Sequence, residues 1–380
     1  NMSKAAELAN LIGNINAGGG TGQNKNYIIN SGMRVAQRGT STTGLKNTGA
    51  VYTIDRFSYR RSGSWSNFDS KHEQVDVTDS LPVSKGLHKA LRVTCTTAEG
   101  SVPSGTEATG IGYFTERQDL YRFGVGTANM KTMTISFYVK ASIATTYGFT
   151  IQAVPHSTMQ QIDIPFTVSS ANTYERISIT IPTYNVALDS TADNAGGWHL
   201  FWSLDGVASS RTASTWGDSS DGLIMPNGVS TTGFSNTQNA TFEITGIQLE
   251  VGQNPTELEN ESFAVTLHKC YRYFYATAFI GTGTFNTDGQ VLVTINPPNT
   301  FRVQPDVSMK SDGFTNINVE HLDNYDISGV NFGHASGEDY HEGINPVVTI
   351  SMPNRSGYQG NAGLVGCDRN DDAFFFSAEL

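Results

Sequence analysis

The chain has 380 residues, of which 16% are charged, and a formal net charge of −11. This length allows two or three domains of about 100–200 residues each, and the low charged content is unlike that of a helical enzyme. The negative charge disfavours nucleic acid and anionic lipid as partners, since both carry phosphate groups. The chain has no apolar run long enough to cross a bilayer, so we expect no membrane insertion.

The first predicted element is a short helix over residues 3–15, with Ser3 as its N-cap. Its apolar face has spacings of three and four and consists of Leu8, Leu11, Ile12 and Ile15. A lone helix of this length is marginal in water. The face is therefore expected either to dock on its own domain or to pair with copies of itself for oligomerisation. A flexible glycine-rich hinge follows, and residues 1–26 form the predicted attachment segment.

The next region, residues 27–258, is predicted to be an antiparallel jelly-roll β-sandwich. Alternation of apolar and polar residues with period two indicates strands, separated by closely spaced turn residues. The predicted strands are residues 89–96, 132–139, 147–154, 162–168, 176–181, 199–204 and 241–251. Pro165 and Pro182 are expected at strand edges or ends, where a missing N–H is tolerated. Residues 190–240 otherwise predict long loops, which are often functional or disordered.

The last third of the chain predicts a linker helix and then a C-terminal β tip domain. Apolar residues recur at helical spacing over residues 261–276, and we assign residues 259–276 to the linker. Residues 277–380 return to strand patterns, so the fold class is mainly β. The apolar run at residues 373–378 is expected to be a strand inside the tip domain.

The three cysteines, Cys95, Cys270 and Cys367, are far apart and form no C-x-x-C pair. They predict neither a zinc site nor a disulfide framework. The first residues lack the apolar segment of a secretory signal. Both observations favour a protein made in a cytoplasm with its thiols reduced.

Aromatic residues in polar loops are the candidate glycan contacts, because a sugar ring has an apolar C–H face. Trp216 and Trp65 lie among serine, threonine and glycine residues, whereas Trp198 and Trp202 are expected in the core. Packing over the core edge is the competing interpretation for the two loop tryptophans.

Glycine-rich loops in the last hundred residues contain further candidate contacts: Tyr325, Tyr340 and Tyr358. Tyrosine gives a large contact area at a low entropic cost, and distal loops are where a receptor would be bound. Ordinary turns with tyrosines packed at the core edge are the alternative.

Acidic residues in the 190–240 region suggest a structural calcium site, because Ca²⁺ takes six to eight oxygen ligands. The candidate ligands are Asp193, Asp218 and Asp221. No EF-hand spacing is present, and solvated loop acids are the competing interpretation. No cofactor is otherwise required.

Enzyme signatures are absent from the sequence: there is no G-x-S-x-G elbow and no dinucleotide-binding glycine motif. We therefore predict that the protein is not an enzyme and has no catalytic residues. A carboxylate pair for glycoside hydrolysis is defined by distance in space, so the sequence leaves that alternative open.

Short sequence blocks give the most specific functional indication. Three lie near the start of the β region, at residues 26–33, 36–40 and 52–57. Two more lie at the end of that region and just beyond it, at residues 242–252 with Pro255, Glu257 and Glu259, and at residues 270–275. In order and spacing, this set resembles the receptor-binding domains of tail fibre proteins from tailed bacteriophages.

The resemblance implies a fold and a role. The blocks would bracket a jelly-roll domain resembling a carbohydrate-binding module, followed by a fibre-tip domain, in a homotrimer located in the virion. The N-terminus would attach to a phage tail or baseplate protein. The tip would adsorb to a host surface polysaccharide, lipopolysaccharide or outer-membrane protein. The alternatives are a virion decoration or fibre adaptor protein, and a capsule or lipopolysaccharide depolymerase.

Overall fold

The structure is a computed structural model. It describes residues 26–47, 49–101, 103, 105–153, 159–184, 193–218, 225–229, 231–277, 279–287, 290–294, 297–309, 316–319, 325–326, 329–333, 347–351, 362–366 and 374–379. The predicted N-terminal helix, with Leu8, Leu11, Ile12 and Ile15, lies outside this part of the chain. Within it, no helix is both long and apolar enough to span a membrane.

The chain divides into two compact units, and the division falls at the start of the helix Phe263–Cys270. The first unit contains a six-stranded antiparallel sheet and a seven-stranded antiparallel sheet. The six-stranded sheet consists of β1 (Ser41–Thr42), β4 (Asp69–Asp76), β5 (Lys89–Thr97), β13 (Thr241–Val251), β7 (Met133–Ala141) and β10 (Glu175–Ile181), in that spatial order.

The seven-stranded sheet has the spatial order β12 (Gly217–Asp218), β9 (Gln160–Thr167), β8 (Thr146–Ala153), β11 (Gly196–Gly206), β6 (Ala108–Glu116), β3 (Phe57–Ser62) and β2 (Val51–Ile54). Short helices at Ser80–Val83 and Arg117–Tyr121, and a 3₁₀ turn at Leu45–Asn47, connect strands. Strands distant in sequence lie side by side, such as β5, β13 and β7. This nesting is typical of a jelly roll and confirms the predicted sandwich.

One continuous apolar core contains the inward-facing residues of both sheets. Trp198 and Trp202 alternate with outward-facing residues along β11, and both are fully buried, which confirms their expected place in the core. Phe137 of the six-stranded sheet meets Trp202 edge to face, with ring centroids 5.9 Å apart. This contact joins the two sheets through their large side chains.

Hydrogen bonds join the first residues of the sandwich to its last strand and to the segment that follows that strand. The backbone N–H of Tyr27 donates to the carbonyl of Leu249 at 3.1 Å. The Asn26 side-chain amide donates to the Ile247 carbonyl at 3.0 Å, and its oxygen accepts from the Leu249 N–H at 3.2 Å. The Asn26 N–H also donates to the Glu259 carboxylate at 2.7 Å. Two blocks that are far apart in the sequence thus form one junction.

The segment after β13 folds back onto that strand. The Glu250 carboxylate accepts from the backbone N–H of Thr256 at 2.8 Å and from its hydroxyl at 2.6 Å. The Gln248 side-chain oxygen accepts from the Glu259 N–H at 2.8 Å. These hydrogen bonds hold the segment after β13 against that strand.

The block at residues 52–57 forms the turn between β2 and β3. Arg56 takes a left-handed conformation with φ of 72°, which is uncommon for residues other than glycine. Its guanidinium is buried, donates to the Phe114 carbonyl and lies 5.0 Å from the Tyr113 ring. Gln37, from the block at residues 36–40, donates its N–H to the Asp55 carboxylate at 2.9 Å. These contacts of Arg56 and Gln37 stabilise the turn.

Pro165 lies within β9, opposite Gly148 of β8. On its other side, β9 pairs with β12 only at Gln160 and Gln161. The strand edge is therefore unpaired by described strands at Pro165, as predicted for a residue without a backbone N–H.

The second unit contains two antiparallel sheets. The smaller has the order β14 (Phe274–Thr277), β23 (Phe374–Ser377) and β17 (Asp306–Met309). The larger has the order β19 (Tyr325–Asp326), β18 (Asn316–Val319), β22 (Ala362–Gly366), β15 (Phe279–Thr287), β16 (Gln290–Thr294), β21 (Val347–Ser351) and β20 (Gly329–Gly333). The predicted strand at residues 373–378 is confirmed as β23.

The small sheet has its own core. Phe374 and Phe376 of β23 are fully buried, as is Phe301. The Arg302 guanidinium donates to the Ala378 carbonyl at 2.9 Å and to the Glu379 carbonyl at 3.1 Å. These contacts hold the residues after β23 in place.

The predicted linker helix at residues 259–276 is wrong in its extent. The helix spans only Phe263–Cys270, and the residues after it turn into β14. All of residues 271–275 except Arg272 are aromatic, and aromatic residues favour strands. Pairing with β23, such as Tyr275 opposite Phe376, then outweighs the helical spacing. Cys270 and Cys95 are buried, and Cys367 lies outside the described residues.

Candidate functional site

The outer face of the seven-stranded sheet, which points away from the core, carries rows of side chains set by strand register. In the first row His199 of β11 lies between Phe114 of β6 and Gln152 of β8. Gln152 in turn pairs with Gln161 of β9. We call these four residues the outer row. Because strand side chains alternate between faces, all four project to the same side.

A second row on the same face runs parallel to the outer row, two residues further along each strand. Phe201 is opposite Gly112 on one side and Thr150 on the other, and Thr150 is opposite Asp163. Phe114 and Phe201 meet edge to face with centroids 5.9 Å apart and form a small apolar cluster with Ala108, separate from the main core. The outer face therefore has an aromatic end and a polar end.

The polar end is a hydrogen-bonded network centred on the Asp163 carboxylate. Thr150 and Gln161 donate to one oxygen at 2.9 and 2.7 Å, and Arg211 donates to the other at 2.7 Å. The Gln152 amide donates to the Gln161 side-chain oxygen at 2.9 Å. Except for Arg211, these side chains are almost wholly buried. The network fixes the orientation of the outer-row amides.

The polar end is covered by residues 207–218 and 225–229. Arg211 enters the network from the first of these ranges, and the backbone N–H of Ser214 donates to the Asp163 carbonyl at 2.8 Å. Pro226 packs over β8 so closely that a Cβ added at Gly148 would lie 2.6 Å from its Cδ. Gly148 is therefore required for this cover, because any larger residue would displace it.

The aromatic end carries arginine side chains. The Arg60 guanidinium lies 4.3 Å from the centroid of the Phe114 ring and donates to the Tyr52 hydroxyl at 3.4 Å. The Arg38 guanidinium lies 5.3 Å from the Tyr52 ring. His199 contacts the Phe114 ring edge to face, with centroids 4.1 Å apart. These residues, Arg38, Tyr52, Arg60, Phe114 and His199, form what we call the arginine–aromatic cluster.

Exposure and charge differ within this cluster. Phe114 is buried beneath the others, whereas Arg38, Tyr52, Arg60 and His199 are half-buried and reach the surface. Burial, and secondarily the positive charge of Arg60, lowers the pKa of His199 to about 3. His199 is therefore neutral at physiological pH, so its ring can both donate and accept hydrogen bonds.

Trp216 lies at the rim of the sandwich. Its ring is half-buried against Tyr184 at 4.5 Å and Trp198 at 6.2 Å between centroids. Its indole N–H donates to the Pro182 carbonyl at 3.0 Å. The residue thus helps to close the core edge, and its predicted role as a glycan contact stays a prediction.

Trp65 is buried, with 7% of its surface exposed. It packs on Phe68 at 4.7 Å between ring centroids, and its indole N–H donates to the Ser62 carbonyl at 2.8 Å. This placement matches the packing alternative and leaves little ring surface for a sugar.

The remaining predicted site residues are not brought together by the described structure. Tyr325 begins the short strand β19, while Tyr340 and Tyr358 lie outside the described residues. Asp193 and Asp218 are exposed, and Asp221 also lies outside the described residues. No group of three His, Cys, Asp or Glu residues suited to a metal occurs in the described part of the chain. The calcium site stays a prediction.

Sequence reasoning did not select the outer row or the arginine–aromatic cluster. Gly110 and Gly112 weaken the strand pattern of β6, so residues 108–116 were not among the predicted strands. Without β6, the alignment of Phe114 with His199 could not be anticipated. The available signal was the alternation across β11, in which His199 and Phe201 fall between core residues.

Comparison with known proteins gives only weak similarity. No protein-family profile matches the sequence, and no characterised protein matches it in sequence. The resemblance to phage fibre proteins therefore rests on short blocks alone.

Among solved structures, the chain is similar to a proposed sugar-binding protein of Bacteroides thetaiotaomicron. The identity is 10%, the coverage is 60% of this chain and 99% of that chain, and the TM-score is 0.31. It is also similar to a family 11 carbohydrate-binding module of a Clostridium thermocellum cellulase, at 11% identity, 59% and 99% coverage and a TM-score of 0.27. For the enzymatically active domain of tailspike protein 4 of bacteriophage CBA120, the values are 10%, 60% and 21%, and 0.29. We draw no functional argument from scores this low.

Proposed function

We propose that this protein is a phage tail fibre or receptor-binding protein that attaches to its host by binding a surface glycan without chemical change. The proposed binding surface is the outer face of the seven-stranded sheet, at the open end of the outer row. The attachment role rests on the block resemblance, and the glycan rests on the chemistry of this face.

The observation that supports a glycan is the pair of half-buried rings, Tyr52 and His199, that reach the surface at the open end of the outer row. His199 contacts the buried Phe114 ring edge to face, which holds it in place. Sugars present apolar C–H faces and hydroxyl rims, which aromatic rings and hydrogen-bonding groups complement. Gln152 and Gln161 are buried at the covered end, so they support the sheet and do not contact the sugar.

A single site of this kind would bind weakly. The proposed homotrimer would place three copies on each fibre, and linked sites raise the overall affinity through effective concentration. No reaction is required for such attachment, because each contact only has to be reversible.

The test is binding of the purified chain to immobilised bacterial capsules and lipopolysaccharides, with a His199→Ala variant as the probe of this face. We expect wild type to bind at least one polymer and His199→Ala to bind about tenfold more weakly, a loss of about 1.4 kcal/mol. Thr94→Ala is the matched control, since Thr94 is half-buried on the outer face of the other sheet.

Two outcomes would contradict the proposal. Attachment to host cells with no binding to any purified glycan would indicate a protein receptor. A fall in polymer viscosity on mixing would indicate a depolymerase.

A further inference from the structure

The turn at residues 226–229 contains the only Asn-Gly pair of the sequence, Asn227–Gly228. The Val229 N–H donates to the Pro226 carbonyl at 3.1 Å, which closes a β-turn. Gly228 has a φ of 79°, the left-handed conformation that a type II turn requires at its third residue. Asn227 and Gly228 are exposed, whereas Pro226 and Val229 on either side are buried. An exposed pair therefore lies between two residues that are held in place.

Two features of this pair favour a reaction of the asparagine with its own backbone. The Asn227 amide makes one long hydrogen bond in the described part of the chain, to the Ser210 carbonyl at 3.4 Å. A Cβ added at Gly228 would meet no described atom within 4 Å, so the space around this peptide is open. Asparagine is among the thermally labile residues. Glycine has no side chain to hinder rotation of the backbone, so the Gly228 nitrogen can reach the Asn227 side-chain carbon.

We propose that Asn227 is a site of spontaneous deamidation and isomerisation, and that the product loosens the covering residues, 207–218 and 225–229, from the polar end of the outer face. The reaction needs no glycan and does not depend on the proposed function.

The reaction has two steps, and water is its only co-reactant. The Gly228 nitrogen loses its proton to base and attacks Cγ of Asn227, which forms a C–N bond. The bond between Cγ and Nδ2 breaks, and ammonia leaves with a proton taken from water. Water then opens the cyclic imide at either carbonyl. Opening at Cγ gives aspartate, and opening at the main-chain carbonyl gives isoaspartate.

Isoaspartate changes the length of the turn. Its main chain passes through Cβ, so the backbone gains one carbon and a free carboxylate directly after buried Pro226. Pro226 packs closely on β8, where a Cβ added at Gly148 would lie 2.6 Å from the proline Cδ. The Met225 N–H donates to the Val207 carbonyl at 2.9 Å, and the Ser209 N–H donates to the Met225 carbonyl at 2.7 Å. Close packing leaves no room for an extra atom without a shift, so the longer turn displaces Pro226 and weakens these bonds.

The first experiment incubates the full chain in mildly alkaline and in mildly acidic buffer. Peptide mass spectrometry measures deamidation, and an isoaspartate-specific methyltransferase measures isoaspartate. Asn129, Asn172 and Asn239 are internal controls, because they are also exposed but precede residues with side chains. In alkaline buffer Asn227 should convert at least about tenfold faster than each control, because glycine alone leaves ring closure unhindered. Acid should slow the reaction, because the attacking nitrogen must lose its proton.

The second experiment measures hydrogen exchange of the Ser209 and Met225 amides in fresh and aged protein. Exchange should be at least about threefold faster in aged wild type, because weaker local bonding raises the open population. Asn227→Gln is the matched control, since its longer side chain closes the ring far more slowly, and its exchange should not change with age. Fresh Asn227→Asp supplies the charge without the extra carbon and should exchange like fresh wild type.

Each part of the proposal has its own contradicting result. Conversion of Asn227 no faster than that of the three control asparagines would overturn the modification site. That comparison uses wild type alone, so it does not depend on how the variants fold. Conversion with unchanged exchange of Ser209 and Met225 would overturn the loosening of the covering residues. Faster exchange already in fresh Asn227→Asp would assign the effect to charge and overturn the role of the added backbone carbon.

Discussion

The side-chain oxygen of Asn26 accepts a hydrogen bond from the backbone N–H of Leu249 at 3.2 Å, which joins the two ends of the sandwich. The same oxygen accepts from the Ile28 N–H at 3.0 Å, and the Asn26 amide donates to the Ile247 carbonyl. Asn26→Ala would leave these backbone groups without their partner. We expect it to lower the free energy of unfolding by about 1–3 kcal/mol, measured by urea denaturation.

The control for this prediction is Asn227→Ala. Asn227 is exposed and makes one long side-chain hydrogen bond, to the Ser210 carbonyl at 3.4 Å. Its substitution should change the unfolding midpoint little. Equal stability of the Asn26 variant and wild type would show that the junction adds nothing.

The burial of His72 predicts that the protein loses stability in acid. Its side chain is fully buried on the inner face of β4, and its ring nitrogens lack a hydrogen-bond partner in the described part of the chain. Burial lowers the pKa of His72 to about 3, against about 6.5 in the unfolded chain. Between these values only the unfolded state binds the proton, so the free energy of unfolding falls as the pH falls.

Replacing this histidine with His72→Leu should remove that dependence. From pH 7.5 to pH 5.0, the variant should gain about 2 kcal/mol of unfolding free energy relative to wild type. The measurement is urea denaturation at both pH values. His88→Leu, at an exposed position, is the control. If the difference between His72→Leu and wild type is the same at both pH values, His72 does not titrate as described.

Glu243 holds a buried network on the outer face of the six-stranded sheet. Its carboxylate pairs with Arg92 at 2.6 Å and Lys140 at 3.4 Å, and accepts from the Tyr174 hydroxyl at 2.7 Å. Burial, followed by the charge of Glu243, raises the pKa of Tyr174 above its usual range, so the hydroxyl stays protonated. Glu243→Gln should lower the free energy of unfolding by about 3 kcal/mol, because the cations lose a buried partner.

A surface ion pair gives the comparison. Lys89 and Asp76 are 2.6 Å apart, and 79% of the Asp76 side chain is exposed. Asp76→Asn should change stability little, because exposed pairs are well solvated. Similar losses for the two variants would indicate that burial does not strengthen the Glu243 network.

Trp216 offers a test between its two interpretations. If the residue mainly closes the core edge, Trp216→Ala should lower the free energy of unfolding by about 2 kcal/mol, while Trp216→Phe retains most of the packing. Both variants would then bind polysaccharide like wild type. A selective loss of binding in a normally stable Trp216→Phe variant would support the glycan contact instead.

The trimer prediction is tested by light scattering of the whole chain and of a version lacking residues 1–22. We expect about three times the 41.0 kDa chain mass for the whole chain. A trimer in both would locate the interface in the β units, whereas a monomer only after truncation would assign assembly to Leu8, Leu11, Ile12 and Ile15. A monomer in both would contradict the trimeric fibre.

The sequence predicted the long strands because their apolar residues alternate cleanly. β5, β7, β8, β9, β10, β11 and β13 all match their predicted positions closely. The strands β3, β4 and β6 were missed, since glycine, arginine or polar residues interrupt their alternation. Strand β2 has only four residues, too few to show a pattern. Their place in the sheets depends on pairing with neighbours from other parts of the chain, which no local window contains.

The site was less predictable for the same reason. Loop tryptophans such as Trp65 were selected for their polar neighbours, yet the Trp65 ring is covered by Phe68 and held by the Ser62 carbonyl. The outer row depends on register across four strands, which places Phe114 beside His199. Register follows from the whole sheet, so single-sequence spacing cannot give it.

The junction at Asn26 brings the chain's entry into the sandwich beside its exit, since residues 26 and 259 are in direct contact. A unit whose first and last residues are adjacent can be inserted into a loop of another protein, because the two ends of a loop are also close together. If the chain is the proposed fibre protein, recombination between genes can move the sandwich from one fibre to another without changing the segments that flank it. Exchange of the whole unit, rather than gradual change of its loops, would then give such a fibre a new host.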